Sequence, residues 1–112
     1  METAQIFEII IYKTGSHKVP FLDWLQKLDK PTRATIKSKL ERIESAGNLG
    51  DIKHITGGIW ELRIHYGPGY RMYCGRQGNK IIVLLLGGNK GSQNRDIAKA
   101  QEYWKDYARR NV

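Results

Sequence analysis

Trp60-Glu61-Leu62-Arg63-Ile64-His65-Tyr66, Gly67-Pro68-Gly69 and Tyr70-Arg71-Met72-Tyr73-Cys74 form the stretch that decides the fold. Trp60, Leu62, Ile64 and Tyr66 alternate with Glu61, Arg63 and His65, the period of two that marks a half-buried strand. The glycine-proline-glycine break is followed by a second alternation, in which Tyr70, Met72 and Cys74 interleave with Arg71 and Tyr73. A three-residue turn would pair Tyr66 with Tyr70, setting Ile64 opposite Met72 and Leu62 opposite Cys74. The same register puts His65 beside Arg71 and Arg63 beside Tyr73. One face of this hairpin is then apolar. The other, expected to be exposed, gathers two guanidinium groups, an imidazole, a phenol and the Glu61 carboxylate.

Upstream of the hairpin, Ile6 to Thr14 reads as a β-branched strand ended by Gly15-Ser16. Val19 to Leu28 reads as a helix with Pro20 in its first turn and Phe21, Leu25 and Leu28 on one face, Trp24 widening that stripe. Asp29-Lys30-Pro31 opens a second helix that runs to about Ala46 and stops at Gly47-Asn48. Ile36, Leu40 and Ile43 form its apolar stripe, and Arg33, Lys37, Lys39 and Arg42 are its solvated face. Downstream, Gln77-Gly78-Asn79 makes a hairpin turn. Ile81 to Leu86 is apolar at both parities, so that strand should be central and covered on both faces. Gly87-Gly88-Asn89-Lys90-Gly91 leaves the sheet, and a final helix follows from about Asn94 to Arg109. Ile97, Ala100, Tyr103 or Trp104, and Tyr107 form its docking stripe. The order β-α-α-β-β-β-α predicts an α+β domain: a mainly antiparallel sheet, two N-terminal helices on one face, and a C-terminal helix.

At 112 residues, 40% apolar and 27% charged, the chain is expected to be a single globular domain over residues 1–112. Its longest apolar run, Ile81 to Leu86, falls far short of the roughly 18 residues that span a bilayer. Glu2 and Lys13 flank the N-terminal apolar run in a way unlike a secretory leader. One cysteine allows no intramolecular disulfide, and three scattered histidines argue against a structural zinc site. The cytoplasm is the expected compartment, with no membrane partner. Nineteen lysines and arginines against eleven acidic residues give a formal charge of +8. That excess suits a polyanion, although charge alone also keeps a small protein soluble.

The chain has no metal motif, phosphate-binding loop, dinucleotide fingerprint or nucleophile elbow, so no metal or small-molecule cofactor is expected. The natural target of a basic sheet face is a phosphodiester. RNA needs no metal for cleavage, because its 2′-hydroxyl is a nucleophile already held beside the phosphate. A protein has to align that attack, neutralise the pentacoordinate phosphate and move protons. Arg63 and Arg71 suit the second task, since the guanidinium fork matches phosphate oxygens and keeps its charge. Lys90, past the central strand, would add a third positive charge. His65 has the right intrinsic pKa for proton transfer, and Glu61 would serve as a base were its pKa raised. Alternation also places both on that face whatever they do. Lys53, His54, Tyr73 and Arg76 complete the candidate nucleic-acid contacts with Arg63, Arg71 and Lys90, Tyr73 either stacking a base or covering the sheet.

Trp60-Glu61-Leu62-Arg63, Gly69-Tyr70-Arg71-Met72-Tyr73, the apolar strand and Gly87-Gly88-Asn89-Lys90 resemble the RelE/ParE superfamily of toxin–antitoxin toxins. Within it, they resemble most the phage-derived addiction module killer branch near HigB. The resemblance covers nearly the whole chain. It implies a RelE-like fold and a toxin that cleaves mRNA on the ribosome, with Arg63, Arg71 and Lys90 at the basic catalytic positions. It implies as well a cognate antitoxin, often of the helix-turn-helix type, that covers the basic surface. The same motifs fit a ParE-type inhibitor of DNA gyrase, and a non-catalytic nucleic-acid-binding module is a further alternative. Two features depart from the family pattern. Lys90 is followed by Gly91 where relatives often have a second lysine. Asn94-Arg95-Asp96 stands where several interferases have tyrosine or histidine, which leaves the general acid and base unassigned.

Overall fold

A computed structural model describes residues 6–111, and the expectation that turns on Glu2 lies outside the described residues. Strand β1 (Glu8–Ile11) is followed by helices α1 (Pro20–Gln26) and α2 (Lys30–Ala46). Strands β2 (Ile52–Thr56), β3 (Ile59–Ile64), β4 (Tyr70–Gln77) and β5 (Ile81–Asn89) follow, and a 3-10 turn (Lys90–Ser92) leads into α3 (Gln93–Arg110). The sheet order is β1-β5-β4-β3-β2, with β1 parallel to β5 and every other pair antiparallel. The α+β class holds, and so does the arrangement of helices on a mainly antiparallel sheet. One strand is added to the expected order: β2, which Ile52 and Ile55 anchor on opposite faces at the sheet edge.

Helix α2 is bounded as its sequence signals require. The Asp29 side chain accepts from the Thr32 amide, and Gly47 ends the helix at φ +67°. Its Ile36 and Ile43 join Phe21 and Leu25 of α1 against Leu62, Met72, Ile82 and Leu84. Each such side chain contributes roughly 1.5–3 kcal/mol on burial. On the opposite face, α3 lays Ile97, Ala100, Tyr103, Trp104 and Tyr107 over Ile59, Tyr73, Val83 and Leu85. Strand β5 lies between edge strand β1 and the central β4 and is covered on both sides, as its apolar run demands.

The β3–β4 connection differs from the expected one. The Gly69 amide closes a turn onto the Tyr66 carbonyl at 3.0 Å, which uses backbone that a longer β3 would need for pairing. Residues 65–69 become a five-residue loop, and the register shifts to Ile64 opposite Tyr70, Leu62 opposite Met72 and Arg63 opposite Arg71. Parity survives the shift, so the faces are as expected while the neighbours change. His65 leaves the strand. Arg63 faces Arg71 instead of Tyr73.

The second difference is at Gly87-Gly88, which stay in β5 opposite Met72 and Arg71. A register shift between Tyr73 and Cys74 puts Leu85 and Leu86 together on the α3 side. Gly87 then lies under the Trp24 ring and Gly88 under Asp96, and a Cβ at either position would collide with those side chains. These glycines are sites of close approach and do not release the chain from the sheet.

The last turns of α3 are tied to the segment just past β1. Tyr12 Oη donates to Asp106 Oδ2 at 2.5 Å, and Arg110 Nη2 donates to both Asp106 Oδ2 (2.6 Å) and the Lys13 carbonyl (2.7 Å). The Tyr12 and Arg110 hydrogen bonds hold the Asp106 carboxyl at about 2 against an ordinary 3.8. A depressed carboxyl stabilises the fold above its unfolded pKa, and that contribution is lost as pH falls through the folded value. Asp106→Asn should therefore melt below wild type near neutrality, with the gap closing between about pH 4 and pH 2. A gap that stays constant in thermal melts across that range would show that this carboxylate does not couple to folding.

Candidate functional site

The basic residues expected to act together converge at one end of the hairpin. Arg63, His65, Pro68, Gly69, Tyr70, Arg71 and Lys90 line a cleft of about 210 Å³. β3 supplies Arg63 and β4 supplies Arg71, directly across from it, while Lys90 stands where β5 passes into the 3-10 turn. Asn89 fixes that turn by accepting from the amides of Gly91 (2.9 Å) and Ser92 (3.2 Å).

Two arginines directly opposite on a sheet repel each other. Glu61 resolves the conflict. Its Oε1 lies 2.7 Å from Arg63 Nε and 3.8 Å from Arg71 Nε, and its Oε2 accepts from Gln93 Nε2 at 2.9 Å. The carboxylate is wholly buried, whereas the arginine side chains remain 31% and 15% exposed. The expected exposure of Glu61 is thus overturned, because α3 closes over it and Gln93 reaches down to it. The Glu61 hydrogen bond and charge raise the Arg63 pKa, so this guanidinium stays charged.

Tyr73 is corrected in the same way. It is wholly buried beneath α3 and presents no ring for stacking a base. Burial, reinforced by Glu61 and Asp96, pushes its phenol up to about 12 against the opposing pull of Arg71. Its hydroxyl faces the Arg71 guanidinium, and among the described residues neither that hydroxyl nor Arg71 Nη1 meets a partner in ordinary hydrogen-bond geometry.

His65 lies at the mouth of the cleft, 75% exposed, with Nε2 2.7 Å from Asp51 Oδ2. The histidine hydrogen bond, followed by the nearby charges of Arg63 and Lys39, holds the Asp51 carboxyl below its usual value. Lys53 sits opposite Glu61 on edge strand β2 and is exposed on the α3 side of the sheet. His54 and Arg76 fall elsewhere. His54 packs edge-on to Trp60, and Arg76 lies between the rings of Phe7 and Trp60, 5.6 Å from each, on the α1–α2 side. Arg76 shares the parity of Met72 and Cys74, a signal in the sequence that separates it from Arg71. Gln93 and Asp51 are the site residues that sequence reasoning missed, since both act through contacts distant in the chain. Cys74 is buried as its parity requires, which pushes its thiol up to about 12.

A three-layer α+β domain that holds paired arginines over a buried carboxylate at the mouth of a small basic cleft is the class these features define. The chain belongs to the phage-derived Gp49-like family (DUF891), whose profile matches residues 23–111. That family is one of addiction module killer, toxin-like proteins. The matched span takes in every residue of the cleft. The chain is also similar to an uncharacterized protein of Haemophilus influenzae, 43% identical over 82 residues that cover 72% of this chain and 82% of the relative. No helix among the described residues is long and apolar enough to cross a membrane.

Proposed function

We propose that this protein is the toxin of a toxin–antitoxin pair, of the RelE/ParE kind, and that it cleaves mRNA on the ribosome without a metal. The observation that carries the reading is the Arg63–Arg71 pair, locked by Glu61 with Lys90 at the rim. In this reading the scissile phosphate sits between the two guanidinium forks, which take up charge as the 2′-oxygen attacks phosphorus. The 2′-hydroxyl loses its proton, the P–O5′ bond breaks, and O5′ takes up a proton as it leaves. The products are a 2′,3′-cyclic phosphate and a 5′-hydroxyl. His65, turned toward Asp51 at the cleft mouth, is the group placed to move those protons. Glu61 acts as a positioning residue, because both its oxygens are engaged by Arg63 and Gln93.

The cognate antitoxin, of the helix-turn-helix type in this reading, would silence the toxin by covering the same cationic mouth. Inducing the toxin and mapping transcript 5′ ends tests the proposal. Cuts in register with codons are expected, and log affinity for RNA should fall with log salt by roughly 0.7 per phosphate contact. DNA damage with intact mRNA would replace this reading with the gyrase-inhibitor one.

A further inference from the structure

Arg63 and His65 wall a second recess as well as the cleft. On its far side stand Thr35, Lys39 and Arg42 of α2, with Asp51 at its edge, around a volume of about 230 Å³. Resting on the RNA reading above, we propose that this recess is an anion subsite, holding the backbone phosphate of a nucleotide next to the one in the cleft.

The solvated-face reading of α2 fails at Lys39. Lys37 is exposed, but Lys39 is half-buried, and its Nζ donates to the Leu49 carbonyl at 3.2 Å. Gly50, at φ +65°, leaves space for that ammonium: a Cβ there would stand 2.5 Å from Nζ. The Asn48 side chain accepts from the Gly50 amide at 3.1 Å and holds the loop in place. One N–H of Lys39 is spent on Leu49, leaving two for a ligand. The recess thus gathers Lys39, Arg42 and Arg63 beside one carboxylate, and Asp51 already pairs with His65. Burial lowers the Lys39 pKa, and the nearby Arg42 charge adds to that against the opposing pull of Asp51. The shared wall makes the recess and the cleft neighbours along one path, as a single RNA strand requires.

The full-length protein should be titrated with 2′-O-methyl uridine oligomers, which cannot be cleaved: a pentamer and a dinucleotide. Lys39→Gln/Arg42→Gln should weaken pentamer binding roughly tenfold and lower its salt slope by roughly 0.7 per lost contact. Dinucleotide binding should not change, since that ligand fills the cleft alone. Thermal melting of the double variant confirms that it folds. Unchanged pentamer affinity, or equal losses for both oligomers, would overturn the subsite. Should wild type bind neither oligomer, codon-registered cuts on induction decide the RNA reading, and inorganic phosphate then judges the recess by itself. Saturating amide shifts at Gly50 and Asp51 in wild type, absent from the double variant, support an anion site; no shifts refute it.

Discussion

Glu61→Ala is expected to destabilise the protein by about 3 kcal/mol, the low end for breaking a buried ion pair, since Arg63 and Arg71 keep some access to water. Three costs combine. Arg63 and Arg71 are left facing each other across β3 and β4 without the charge between them. The Gln93 amide loses its acceptor, and a cavity opens beneath α3. For a domain of this size the melting temperature should fall by about 10–15 °C. Glu61→Gln preserves the shape and should cost less, while the proposed mRNA cleavage should still drop roughly 10- to 100-fold because the arginines lose their fixed geometry. The pH–rate profile separates positioning from chemistry. A carboxylate base would take one limb of the profile with it on substitution, whereas a positioning residue lowers the rate and leaves both limbs in place. A vanished limb in Glu61→Gln would restore Glu61 as the base.

The burial of Glu61 could not be read from the alternation around it. Trp60, Leu62 and Ile64 define the core face without ambiguity, so the opposite face of β3 looks open in sequence. What closes it is α3, and no local pattern says how far along the sheet that helix lies. Gln93, its first residue, carries no signal of its contact with Glu61. The hairpin register failed for a related reason. Period-two patterns specify a face and are blind to a shift of two, and the decisive contact is a backbone bond between Tyr66 and Gly69. Helix boundaries were readable because Asp29, Pro31 and Gly47 act locally. Gly87-Gly88 was misread since glycine signals both turns and close approach, and only Trp24 and Asp96 decide between them. The convergence of Arg63, Arg71 and Lys90 was legible all the same, because it depends on strand ends and parity and not on the register.

Arg71→Ala should cost only about 1 kcal/mol in stability yet, if the protein cleaves mRNA as proposed, lower that cleavage by roughly 100-fold or more. The stability cost exceeds that of an ordinary surface change, since the side chain is 15% exposed and Nε lies 3.8 Å from Glu61. It stays small because Arg63 and Gln93 still occupy both Glu61 oxygens after the substitution. In the proposed mechanism the catalytic loss follows from removing one preorganised donor aimed at the charge that develops on phosphate. Arg71→Lys should recover only part of the activity, because an ammonium gives a point charge where two parallel N–H bonds are needed. Single-turnover cleavage and urea denaturation on the same samples separate the two effects. Tyr70→Ala serves as the contrast: Tyr70 edges the cleft, but its ring packs on Trp24 at 6.2 Å against the core, so the change should unfold the protein more than it disarms it. A folded Arg71→Ala protein with full toxicity would remove this arginine from the chemistry. Full toxicity with intact transcripts would go further and leave the cleft as a docking surface for a protein target such as gyrase.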